Sequence, residues 1–165
     1  LAKINQRAGL PLSPQSPQHY AGDWQFLFVK MISQLTLNQA QIEEMIRHID
    51  EQVPLEACGL LAGKNNRVEN VILVRNQAQS PVRFVMEPYE QLQAFEWIET
   101  QALELIGIFH SHPTGPETVS STDIAEAAYK VVHLIWSRPN GQWQARGFWI
   151  EDGQATEIAL LVRDK

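Results

Sequence analysis

Gly107-Ile108-Phe109-His110-Ser111-His112-Pro113-Thr114-Gly115-Pro116-Glu117-Thr118-Val119-Ser120-Ser121-Thr122-Asp123 is the stretch on which both fold and chemistry turn. Leu105-Ile106 precedes it, so Leu105 to Phe109 is nearly continuous apolar sequence, which suits a central strand covered on both faces. Two histidines ride on its end. Side chains two residues apart share one face of a strand, whereas on a helix they diverge by roughly 200°. A strand therefore lets His110 and His112 grip one ligand. By parity they continue the face of Ile106 and Ile108, with Phe109 and Ser111 on the other.

Upstream, 57–63 and 67–74 read as two strands joined at Lys64-Asn65-Asn66, a turn that suits Asn at positive φ. Residues 82–86 give another short strand. Pro88 then opens a helix in which Tyr89, Leu92, Phe95 and Ile98 share a side, ending near Leu103. Further back, 32–37 reads as a strand. A helix follows through about Gln52, with Ile42, Met45, Ile46 and Ile49 at i, i+3, i+4, i+7, and Pro54 ends it. His48 falls off that stripe and reads as a solvated side chain.

Downstream of the loop 113–119, residues 121–130 read as a helix with Ile124, Ala127, Ala128 and Val131 facing inward. Three strands follow, Val131 to Trp136, Trp143 to Ile150 and Ala155 to Val162, with turns at Arg138-Pro139-Asn140-Gly141 and Asp152-Gly153. The pattern predicts one α+β domain: a mixed, largely antiparallel sheet flanked by about three helices.

Composition narrows the function classes. The chain has 165 residues, 44% of them apolar, enough for one sizeable core. A net charge of −6 disfavours nucleic-acid binding, which draws its affinity from Lys and Arg. The apolar run from Phe26 to Leu37 is broken by Lys30, Ser33 and Gln34 and is too short and polar to span a bilayer. Nothing before it resembles a signal peptide. The single cysteine, Cys58, makes no internal disulfide, so the reading is a cytoplasmic protein whose metal site, if any, is built from His and carboxylates. Residues 1–30 read as an N-terminal extension, of which 1–25, with Pro11, Pro14 and Pro17 among Ser and Gln, has the composition of a tail. Phe26, Phe28 and Val29 could still add an edge strand or dock on the domain.

Two imidazoles and a carboxylate are ordinary zinc ligands, at roughly 2.0–2.2 Å, and three protein ligands leave the open position of a catalytic zinc. His110, His112 and Asp123 are the candidates for one such ion. Taken singly, the pieces have simpler explanations. Ser120-x-x-Asp123 is also the spacing of a helix capping box, and Glu56, ahead of a strand, reads as an exposed loop charge.

Taken together, His-Ser-His, seven residues, Ser, two residues and Asp resembles the signature of the JAMM zinc metalloproteases, the catalytically active (MPN-plus) members of the MPN domain family. That family places a glutamate upstream, and Pro54-Leu55-Glu56-Ala57-Cys58-Gly59-Leu60-Leu61 looks like that segment. The resemblance runs from about Met31 to the C-terminus. It implies a cytidine-deaminase-like MPN domain over 31–165 and one zinc ion on His110, His112 and Asp123. Glu56 would be the acid/base acting on a zinc-activated water, and Ser120 the hydroxyl on the oxyanion side. Val119 stands where bacterial members often have proline, a departure that touches loop shape only.

By the same resemblance the substrate is an amide bond after the C-terminal Gly-Gly of a ubiquitin-like protein. The compact form looks like prokaryotic stand-alone members that act on ubiquitin-like sulfur carriers, more than like deubiquitinases, which carry insertions. A glycine tail could lie extended against an exposed strand edge. The alternatives are a non-catalytic MPN scaffold, which would commonly lack a metal residue, and a DNA-associated relative. Cys58 reads as a small residue opening a buried strand, not a nucleophile, and His133 as a satisfied strand histidine, not a fourth ligand. Trp136, Trp143 and Trp149 read as core, with Trp143, Ala145, Gly147 and Trp149 on one face.

Overall fold

The computed structural model describes residues 32–164. The expected extension over 1–30, with its tail over 1–25 and the edge strand or docked segment at Phe26 to Val29, lies outside the described residues. The elements run β1 (Gln34–Leu37), α1 (Gln39–Gln52), β2 (Cys58–Lys64), β3 (Arg67–Val74), α2 (Pro88–Thr100), β4 (Glu104–His112), α3 (Ser121–Glu126), β5 (Val132–Ser137), β6 (Gln144–Glu151) and β7 (Gln154–Val162). The α+β class holds: among the described residues, three helices flank one mixed sheet.

Closure of that sheet is the feature the sequence did not announce. The strands lie in the order β1-β3-β2-β4-β5-β6-β7, and β1 pairs with both β3 and β7 to close a barrel. Closure removes the free strand edge on which a glycine tail was expected to lie. The antiparallel pairings are β2–β3, β2–β4, β5–β6 and β6–β7. The pairs β1–β3, β1–β7 and β4–β5 are parallel, so the antiparallel majority is narrow. A parallel pair needs a crossover. Between β4 and β5 that crossover is residues 113–131, which carry α3 back over the end of β4.

Two apolar clusters sandwich the sheet. One joins Met45 and Ile49 of α1 to Leu61, Phe109, Leu134, Trp136 and Trp149. The other joins Ala94 and Ile98 of α2 to Cys58, Leu60, Val74 and Ile108. The expected α1 stripe holds, with Gln41 added: its Nε2 donates to Val68 O at 2.9 Å. The tryptophans are core as read; Trp143 packs half-buried on the first cluster and its Nε1 donates to Asp50 Oδ1 at 2.7 Å. Gly59 is required where it stands, because a Cβ there would collide with the Phe109 ring and the Ile72 carbonyl. Asn65 and Asn66 adopt φ of 51° and 63°, the left-handed pair of a tight hairpin, as their chemistry suggested.

Several local expectations give way. Residues 82–86 form no strand; they end a loop, with one bridge between Asn76 and Met86. The buried side of α2 is Gln91, Ala94, Phe95 and Ile98, itself an i, i+3, i+4, i+7 stripe, while Tyr89 and Leu92 are exposed. A small Ala94 lets the helix sit close to the sheet, which an apolar count undervalues. Helix α3 stops at Glu126 and buries none of its residues, so the inward face through Val131 does not form as helix. His48 is half-buried, edge-on to Phe109 at 6.3 Å between ring centroids, and not a solvated side chain. Ile106 does not share the face of Ile108. The register steps from Leu61↔Gly107 to Ala62↔Leu105, leaving Ile106 as a bulge residue that turns into the Phe109 cluster.

Candidate metal centre

Strand β4 delivers the histidines. It is buried from Ile106 through His112, and its alternation past the bulge carries Ile108, His110 and His112 to one face. His110 is fully buried and His112 nearly so. Their Nε2 atoms lie 3.0 Å apart. Phe84 stacks on the His110 ring, 4.4 Å between centroids at 29°. His112 Nδ1 donates to Pro116 O at 2.8 Å, which turns Nε2 toward His110 and Asp123.

The third group arrives on α3. Ser120 is the N-cap, and both halves of the capping box form. Its Oγ accepts from Asp123 N at 3.1 Å, and Asp123 Oδ2 accepts from Ser120 N at 2.6 Å. The same carboxylate reaches the histidines, Oδ1 to His110 Nε2 at 3.1 Å and Oδ2 to His112 Nε2 at 3.4 Å. Cap and site are thus one structure. Ser120 accepts without spending its own proton, and among the described residues no hydrogen bond uses that O–H.

Glu56 comes from the segment before β2 and is 4% exposed, not the exposed loop charge its local sequence suggests. Its Oε1 lies 4.0 Å from His112 Nε2. Glu56, His110 and His112 form a buried cluster able to hold a metal ion, and Asp123 closes the same space.

These donors fit a small cation. Nitrogen and oxygen ligands at about 2.0–2.1 Å in a tetrahedron stand about 3.3 Å apart. The histidine nitrogens stand 3.0 Å apart and Asp123 Oδ1 3.1 Å from His110, near that value, with the other carboxylate oxygen, Oδ2, 3.4 Å from His112. Two buried imidazole nitrogens and a carboxylate converging on one point are otherwise costly to assemble.

Burial raises the Glu56 carboxyl to about 7, opposed by His112 and helped by Asp123. Burial pushes Asp123 upward too, but hydrogen bonds from His110 and His112 outweigh it and hold Asp123 well below the carboxylate range. Burial lowers His110. It would lower His112 as well, but the Asp123 and Pro116 contacts prevail and raise it. The Cys58 thiol is pushed up to about 12, chiefly by burial, which makes it a poor nucleophile.

His133 is a buried strand histidine, but not the satisfied one expected, since neither ring nitrogen has a hydrogen-bond partner among the described residues. Burial lowers it to about 4. It lines a cavity of about 360 Å³ beside Asp123, together with Phe84, Met86, Ile108 and Tyr129.

Two supporting residues escaped the sequence reading. Ser111 was assigned only to the far face of β4. There its Oγ accepts from Ala57 N at 2.9 Å and its N–H donates to Ala57 O at 3.0 Å, fastening the residue next to Glu56. A serine between two candidate ligands was the available signal. Asn76, which gave none, donates to Glu56 O at 2.9 Å.

A seven-stranded mixed barrel that brings two strand histidines, a capping aspartate and a buried glutamate together belongs to the JAB/MPN class. Residues 38–150 match the family of prokaryotic homologs of the JAB domain, and the chain belongs to that family as a hydrolase of the JAMM type.

It is 40% identical over 112 residues to a desampylase of Pyrococcus furiosus, covering 66% of this chain and 76% of that protein. It is 37% identical over 122 residues to a probable TtuB-protein conjugate cleaving protease of Thermus thermophilus, covering 73% and 78%. A CysO-cysteine peptidase of Mycobacterium tuberculosis is 30% identical over 132 residues, covering 78% and 90%. Among solved structures, a protein from Desulfitobacterium hafniense superposes with a TM-score of 0.72 at 33% identity, covering 79% of this chain and 94% of that one. A JAB1/MPN domain protein from Archaeoglobus fulgidus shares the fold, with a TM-score of 0.53 at 15% identity over 79% and 97%. Among the described residues no helix is long and apolar enough to cross a membrane.

Proposed function

We propose that this protein is a zinc-dependent peptidase or isopeptidase of the cytoplasm. It hydrolyses the amide bond after the C-terminal Gly-Gly of a ubiquitin-like, sulfur-carrier type protein. The observation that carries the reading is the convergence of His110, His112 and Asp123, with the Glu56 carboxylate 4.0 Å from His112. The relatives named for cutting TtuB conjugates and CysO-cysteine support the substrate class.

His110 Nε2, His112 Nε2 and an Asp123 carboxylate oxygen would hold the ion. Zinc there supplies Lewis acidity, polarising a carbonyl and lowering the pKa of a water to about 7. The histidines cannot also act as bases. His112 spends Nδ1 on Pro116 O, and both Nε2 atoms face the ligand cluster. Glu56 is then the group free to move a proton. Held near neutrality by burial, its carboxylate accepts a proton from the attacking water and returns it to the leaving amine. Ser120, whose own proton is uncommitted, donates to the carbonyl oxygen as charge develops on it. With the barrel closed, the glycine tail lies against the loops 75–87 and 113–120 that border the cluster, and the 360 Å³ cavity takes substrate next to the cut bond.

The test is mass spectrometry of a ubiquitin-like carrier joined through its terminal Gly-Gly to a peptide amine or a single amino acid. Zinc-loaded wild type releases free carrier, while Glu56→Gln leaves the conjugate whole and still binds one zinc. A zinc-loaded wild type that shortens no conjugate overturns the assignment. A non-catalytic scaffold reading is disfavoured by the complete ligand set together with a buried glutamate.

A further inference from the structure

We propose that Asn76 is the positioning residue for Glu56. This rests on the reading of Glu56 as the proton-transfer group, and goes beyond it by naming what holds that group in place.

Glu56 lies outside every strand, since β2 begins at Cys58. Its main chain is held from one side by the loop 75–87. Glu56 N–H donates to Ser80 O at 2.9 Å, and Glu56 O accepts from Asn76 Nδ2 at 2.9 Å. The Asn76 amide is buried and fully used. Nδ2 also donates to Arg83 O at 3.0 Å, and Oδ1 accepts from Ala78 N and Val85 N, each at 3.0 Å. An amide offers two donors and two acceptor lone pairs, and all four are engaged here. Three of the bonds fold the loop and the fourth fixes it to Glu56.

The geometry gives that fourth bond its meaning. The loop it organises also carries Phe84, whose ring stacks on His110. One side chain thereby joins the backbone of the proton-transfer residue to the wall against a metal ligand. A small misplacement of a reacting group can lower a rate about 100-fold. Asn76 makes no hydrogen bond to His110, His112 or Asp123, so its removal is expected to move the base and leave those three groups in place.

The experiment compares wild type, Asn76→Ala and Asn76→Asp, each also in a Glu56→Gln background. Asn76→Asp keeps the shape and the Oδ1 acceptor but puts an oxygen against the Glu56 and Arg83 carbonyls. We expect each single variant to bind zinc one to one and to lose 10- to 100-fold in kcat, with KM within threefold. In the Glu56→Gln background the same changes alter the residual rate less than threefold. In metal-free protein, amide exchange at Glu56 accelerates at least tenfold while exchange in β6 is unchanged.

Equal loss with and without the Glu56 carboxylate, or unchanged kcat, overturns the proposal. So does exchange that accelerates across the whole barrel, which would mark Asn76 as a general structural residue. If Asn76→Ala does not fold, Asn76→Asp decides. Should wild type cut no conjugate, the function reading falls, and the exchange measurement alone decides the positioning claim.

Discussion

The two carboxylates of the site reach it by opposite routes. Asp123 is fixed locally: Ser120 and Asp123 exchange hydrogen bonds across three residues, and the helix start that they build aims the carboxylate at the histidines. Glu56 is fixed from far along the chain, by Asn76, Ser80 and, through Ala57, by Ser111. Locally closed geometry tolerates change elsewhere in the fold, whereas long-range geometry fails whenever any of its distant supports moves. The two segments also differ electrically. Histidine contacts hold the Asp123 carboxyl well below its usual range and burial raises that of Glu56 to about 7, a difference that suits the ligand and base roles proposed for them.

The largest expected effect removes the ion. His112→Ala should purify without stoichiometric zinc by metal analysis and show background turnover, and full occupancy in that variant would break the ligand assignment. Next, Glu56→Gln should keep zinc while single-turnover cleavage falls by about 10²- to 10⁴-fold, the range for a lost general acid/base. A wild-type rate would remove the functional distinction between the two carboxylates.

Ser120 sharpens the comparison, since it serves the local route twice. Ser120→Ala should lose both an oxyanion donor, about 10²- to 10³-fold in kcat, and a cap, about 0.5–2 kcal/mol in urea unfolding. Ser120→Asp should recover the cap but not the rate; recovery of both would deny the hydroxyl a catalytic part.

The smallest effect is one of pH on metal-free protein. Glu56 ionises near 4.5 when unfolded and near 7 when folded. Its burial therefore costs nothing below about pH 4.5, costs increasingly as pH rises to 7, and at most about 3 kcal/mol above that. In chelator-treated protein Glu56→Gln should be the more stable form at about pH 8 and no different at about pH 4. Equal urea midpoints at both pH values would contradict the buried-base reading.

Legibility followed the same divide. The hairpin at Asn65-Asn66, the α1 stripe and the site's His-x-His and Ser-x-x-Asp are all set within a few residues, and each is where periodicity and turn chemistry put it. The face of α2 was misread because Gln91 and Ala94 are not conspicuously apolar, and the face of Ile106 because a bulge breaks parity without any local mark. A strand at 82–86 was expected from apolar residues that instead wrap Asn76 and line the cavity beside Asp123.

By itself, then, the sequence determined the strand that aligns two imidazoles and the cap that presents Asp123, because side-chain direction within two or three residues follows from backbone geometry alone. The multi-part pattern also made Glu56 a candidate. Only the tertiary structure decided that the barrel closes, that α3 crosses over the end of β4, and that Glu56 is buried beside His112 in the grip of Asn76 and Ser111. Those arrangements depend on hydrogen bonds between residues far apart in the chain, whose partners no local pattern encodes.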